Sequence, residues 1–162
     1  MKAGKAFLAG VVGGAAMSAL MFLAREVMGM NVRLELMLGT MFRSPGQIAW
    51  IVGLLMHLMI SGLIALAYAW AFENVMHKAG AATGALVSLA HIVIAGVFMG
   101  AILPVMHPLV PEQMGGPGYF MANLGAMGIM AFVLLHLMFG AIVGAMYGPV
   151  LHPTTAAPPV AE

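Results

Sequence analysis

The run His57-Leu58-Met59-Ile60-Ser61-Gly62-Leu63-Ile64-Ala65-Leu66-Ala67-Tyr68 is echoed by His136-Leu137-Met138-Phe139-Gly140-Ala141-Ile142-Val143-Gly144-Ala145-Met146-Tyr147. Both runs open His-Leu-Met, pass through a small pair (Ser61-Gly62, Gly140-Ala141) and close on tyrosine eleven residues after the histidine. Between histidine and tyrosine the one polar side chain is Ser61. The runs sit inside longer apolar stretches, 45–72 and 120–147. At ~1.5 Å of rise per residue, either stretch is long enough to cross a ~30 Å hydrocarbon core. The pattern predicts membrane-spanning helices with a histidine inside two of them. An imidazole in that setting needs a partner.

Composition agrees. Of 162 residues 63% are hydrophobic and 7% charged, with mean hydropathy +1.05. A soluble domain carries about 25% charged residues. Six Lys and Arg with five Asp and Glu cannot cover a water-facing surface, so the chain is read as an integral membrane protein partnered by lipid. A net charge of +1, without a basic cluster, gives no basis for nucleic-acid binding. The absence of cysteine excludes disulfides, thiolate metal sites and covalent c-type haem. Methionine is over-used, with 18 residues spread through the apolar segments.

Outward from the two runs, the rest of the chain divides readily. Lys2 and Lys5 precede an apolar stretch, 6–24. A secretory signal peptide is its rival reading, since the lysines, the apolar run and Met17-Ser18-Ala19 imitate the three signal regions. The run continues past that point, however. Its Ala9-Gly10-x-x-x-Gly14-Ala15-x-x-Ser18 also returns as Ala79-Gly80-x-x-x-Gly84-Ala85-x-x-Ser88, so a retained first span ending at Arg25-Glu26 is expected. Asn31 is placed to cap a short amphipathic helix, 32–42, whose Arg33, Glu35 and Arg43 suit the membrane interface. Ser44 as N-cap and Pro45 in the first turn open the second span, 45–72. Glu73-Asn74 and His77-Lys78 form a tight connection to the third span, 79–103. Pro104, Pro108 and Pro111 are expected to break the helix there, and Gly115-Gly116-Pro117-Gly118 reads as turn chemistry before the fourth span, 120–147.

The expected fold is an all-α integral membrane four-helix bundle, built from two parallel two-helix repeats with a short interfacial helix after span one. One transmembrane domain covers 1–148, and 149–162 is expected to be a disordered Pro/Ala/Thr tail. Both termini fall on one side. Lys2, Lys5 and Lys78 on that side balance Arg25, Arg33 and Arg43 on the other. The N-terminal lysines assign the termini to the cytoplasmic face of a bacterial inner membrane.

Spacing also predicts which way the histidines point. Gly53, His57, Ser61, Ala65 and Ala69 form one ridge of span two, and His136, Gly140, Gly144 and Gly148 one ridge of span four. In span three His91 shares a face with Gly84, Ser88 and Ala95. Small residues at this spacing mark helix–helix contacts, so all three imidazoles are expected inside the bundle. Val143, off that ridge, is expected to face lipid. Tyr68 and Tyr147 suit an interfacial aromatic belt, which places His57 and His136 ~16 Å deeper. The repeat aligns Met21 with His91.

Three functions fit such a cluster. The first is a buried site for copper or haem, with His57, His91 and His136 as ligands, and with Met21 as a soft donor for Cu(I) or His57 and His136 as the axial pair of a haem. The second is a structural or assembly subunit whose histidines only hydrogen-bond helices together. The third is a proton or ion relay. Against the third stands the lack of an acidic residue deep in any span; Glu26 and Glu73 lie at the ends. His77, His107 and His152 are loop residues with solvated roles by default. No phosphate-binding loop, Ser/His/Asp pattern or H-E-x-x-H is present, so no enzymatic activity is expected.

The histidine in each of spans two, three and four also resembles four-helix bacterial inner-membrane families of unknown function. The likeness rests on His57 with Tyr68, His91 with Gly96 and Met99-Gly100, Pro117-Gly118-Tyr119-Phe120 with Asn123-Leu124-Gly125, and His136-Leu-Met-Phe-Gly140 with Tyr147-Gly148. It implies the same fold over about 6–148 and carries no activity. The copper or haem site leads, in a homo-oligomer or a subunit of a larger membrane complex.

Overall fold

A computed structural model describes residues 1–30, 33–106 and 115–150. The expectations for Asn31, Pro108, Pro111, His107, His152 and the tail beyond 150 lie outside the described residues. Within them the chain is helical and no strand occurs. The elements are α1 (Ala3–Met28), α2 (Leu34–Gly39), α3 (Gln47–Ala71), α4 (Ala81–Val97), α5 (Leu103–Met106) and α6 (Gly125–Tyr147). Among the described residues four stretches are long and apolar enough to cross a membrane: Ala3–Met28, Gln47–Met76, Ala81–Val105 and Tyr119–Tyr147. Lys2 Nζ donates to the Pro149 carbonyl at 2.6 Å, so both ends of the bundle's chain lie together. Leu8, Leu55, Leu63, Ile94 and Leu134 point outward, as lipid-facing residues do.

The helix ends follow local chemistry, with two corrections. Gly29 ends α1 in the left-handed conformation (φ 67°), and its N–H returns to the Arg25 carbonyl at 3.1 Å. Ser44 is not an N-cap, since α3 begins at Gln47, after Gly46, without a side-chain cap. Pro104 does not break the third span. A π turn, Phe98–Ile102, precedes it and leads straight into α5. The wider turn gives the proline ring room it would lack over the Gly100 carbonyl of a regular helix. A second π turn, Phe72–Met76, extends α3 until His77 (φ 51°) ends it.

Packing is set by glycine. A Cβ on Gly10 would overlap the Ser61 carbonyl and stand 2.6 Å from the Ala65 Cβ, and one on Gly14 would overlap the Ser61 hydroxyl. On the other hairpin a Cβ on Gly84 would strike the Gly140 carbonyl, and one on Gly144 the Gly80 carbonyl. Residues aligned between the two sequence echoes thus meet aligned partners. In a bilayer, where burial of apolar surface drives little, such backbone contact holds helices together.

Beyond these pairs the arrangement is uneven. The first helix, α1, packs on both α3 and α6, and α6 packs on both α1 and α4. By contrast α3 and α4 barely meet, which leaves the ring of helices open on one side. At one end α2 bridges the opening. Gly39 and Gly53 seat α2 on α3 so closely that a Cβ on either would overlap a carbonyl, of Ala49 or Glu35 respectively. Met37 packs on Leu103, with Met99 alongside. The segment expected to lie as an amphipathic interfacial helix is therefore a short helix buried along Glu35, Met37, Leu38 and Gly39.

Two further expectations are corrected. Tyr68 and Tyr147 are 2% and 0% exposed and lie in the core rather than in an outward belt. Val143 is fully buried, in a cluster with Ala6, Phe139 and Tyr147, because α1 covers a second face of α6 beside the glycine ridge. The entry to α6 is also unusual. Phe120 and Met121, in the 3-10 turn Tyr119–Leu124, both have positive φ (54° and 61°). This backbone is costly for such residues. It is held by the Phe120 ring seated against Gly96 and the Tyr119 ring against Gly100.

Candidate functional site: a buried histidine line

On α6, His136 Nδ1 donates to the Phe132 carbonyl one turn back at 2.7 Å. A carbonyl only accepts, so this nitrogen carries the hydrogen and the neutral ring presents a bare Nε2. The Phe132 ring lies against the imidazole, with centroids 4.2 Å apart. The His91 ring of α4 meets His136 edge-on, at 4.8 Å and 75°. His91 Nδ1 is hydrogen-bonded to the Tyr68 hydroxyl of α3 at 3.0 Å. Phe139 closes the other side of this pair, 5.6 Å from His91 and 5.7 Å from Tyr68.

His57 is placed differently. It is 7% exposed, and its Nδ1 is hydrogen-bonded to the Ser18 hydroxyl of α1 at 2.9 Å. Ser18 follows Gly14 by one turn, so the glycine that lets α1 approach Ser61 also delivers the hydroxyl to His57. His57 and His136 lie within electrostatic reach of each other, but the ring that touches His136 is His91.

The sequence reading missed Glu35. It is 7% exposed, and among the described residues its carboxylate has no hydrogen-bond or ion-pair partner. It lies within electrostatic reach of His57. A signal was available in the spacing: Glu35 and Gly39 are one turn apart on α2, as Ala49 and Gly53 are on α3. The matched small residues let α2 dock where the acid turns inward.

No family model, curated protein or solved structure matches this chain.

The site must therefore be read from its own chemistry. Among the described residues no three of His, Cys, Asp and Glu are grouped as metal ligands. His91 and His136 come together, while His57 is held on Ser18. Met21 packs in an apolar cluster with Ile92, Met121 and Phe132. Glu35 and His57, and His57 and His136, lie within electrostatic reach of each other, and direct contacts run on from His136 through His91 to Tyr68. Beyond it Phe72, wholly buried, stands between Tyr68 and Tyr147, with ring centroids 6.1 and 5.5 Å away. Past that plug Tyr147 donates to the Glu73 carboxylate and accepts from the Lys2 backbone N–H at 3.0 Å.

Proposed function

We propose that this multi-pass membrane protein moves protons within the bilayer along Glu35, His57, His136, His91 and Tyr68. The observation that carries the reading is the edge-on contact of His91 and His136, with the Tyr68 hydroxyl hydrogen-bonded to the first. An imidazole takes a proton on its bare nitrogen and can return it. Titratable groups inside a membrane bundle mark substrate and ion pathways, proton relays among them. His136, with its Nδ1–H held on Phe132, takes up and gives back a proton through Nε2. The His91 ring stands between that imidazole and a hydroxyl that both donates and accepts. Buried Glu35 supplies the acid that the sequence alone lacked. Phe72 is the apolar break at the termini end.

Copper or haem bound by the histidines remains the rival. It requires the Nε2 of His57, whose Nδ1 can stay on Ser18, to be brought together with the other two, or to pair with His136 across a cofactor. The test is proton flux into liposomes under an imposed potential, with metal and haem content assayed on the same preparations. Wild-type protein should exceed empty liposomes, and His91→Ala and His136→Ala should fall to background. Wild-type flux at background overturns the relay. One copper or haem per chain, lost in either variant, assigns the histidines to the rival.

A further inference from the structure

A cavity of about 420 Å³ opens among α1, α2 and α3, lined by Ser18, Met21, Phe22, Arg25, Glu35 and Trp50 among others. That volume lies within the ~300–1,000 Å³ of small-molecule sites. Its wall is mostly apolar, with two aromatic side chains. Its charges do not cancel. Arg25 is already engaged by Glu26, through Nε at 3.1 Å and Nη2 at 3.0 Å, and its guanidinium lies over the Phe22 ring at 4.9 Å. Glu35 has no such partner among the described residues and is buried to 93% of its surface, the complement of its 7% exposure. The cavity therefore carries one uncompensated carboxylate beside aromatic faces.

That combination selects a ligand class. A metal cation takes six or more oxygens, or several nitrogens, and this wall supplies the Glu35 carboxylate and the Ser18 hydroxyl. A neutral apolar molecule leaves the carboxylate unpaired, and an anion opposes it. An apolar body bearing an amine or onium head satisfies both parts, since the head pairs with Glu35 and the body lies against Trp50 and Phe22. We infer that the cavity binds lipophilic monocations, with Glu35 as the anionic anchor. This goes beyond the proton line and shares only Glu35 with it. One carboxylate cannot hold a proton and a cation together, so the two compete. Among the described residues, the other charged or titratable groups near Glu35 are His57 on α3 and Arg25 on α1, the latter with Glu26 upon it.

The test uses the full chain in detergent, with tetraphenylphosphonium as probe in equilibrium dialysis. One site per chain is expected. Glu35→Gln should weaken binding about 10- to 100-fold, the equivalent of one charged interaction. Tetraphenylborate, the anion of the same shape, should not bind; this comparison needs no variant and so does not depend on one folding. His91→Ala should bind the cation as wild type does even where proton flux is lost. Equal uptake of both ions, no uptake of the cation, or full affinity in a folded Glu35→Gln protein each overturns the site.

Discussion

The Tyr68 hydroxyl and His91 Nδ1 stand 3.0 Å apart across the side of the bundle where the helices that carry them barely meet. The bond does for α3 and α4 what glycine does elsewhere, because two long polar side chains span a gap that backbones do not close. Tyr68→Phe keeps the ring and removes the hydroxyl. It should lower stability by about 1 kcal/mol, more if the His91 nitrogen is left unsatisfied, and should also cut proton flux. A double-mutant cycle with His91→Phe, read by thermal melting in detergent, should show the two losses to be non-additive. Additive losses would mean that the bond contributes nothing.

His57 and His136 have separate partners, Ser18 and the Phe132 carbonyl. His57→Ala and His136→Ala should therefore cost stability in amounts that add to within about 0.5 kcal/mol. Strong coupling between them would show that the two imidazoles act on one centre, as ligands of a shared metal or haem do. Melting of the two single variants and the double variant decides this.

Phe72 separates Tyr68 from the Tyr147–Glu73 pair. Phe72→Ala should open space for water between the two hydroxyls and raise proton flux several-fold, while costing about 3–5 kcal/mol of stability as a fully buried phenylalanine. The check is flux per folded protein. A variant that folds and conducts no faster would remove Phe72 as the break.

The glycine seats should tolerate nothing larger. Gly84→Leu or Gly140→Leu would drive a branched side chain into a facing backbone, and each should prevent the bundle from forming. Val143→Ala, in the packed face of α6, should cost on the order of 1–3 kcal/mol. Leu134→Ala, at a position 63% exposed, should cost little. Equal melting temperatures for all of these variants would refute the packing described above.

The four spans were legible because length and hydropathy are local properties, and Gly53, His57, Ser61 and Ala65 predicted the inward face of α3 because the helical period is local too. Other features depended on which helices become neighbours. With α4 and α1 covering two faces of α6, Val143 and Tyr147 are enclosed where an isolated amphipathic pattern would leave them in lipid. With α3 and α4 apart, Tyr68 turns inward to His91 instead of outward to the headgroups. Pairwise identity among the histidines was undetermined for the same reason: each ridge set a direction, but not the ring found at its end. Glu35 shows the limit most clearly. In sequence it is a charge among leucines, suited to a membrane surface. It is buried because Gly39 and Gly53 let α2 fold back onto α3, a contact between segments that only the tertiary arrangement brings together.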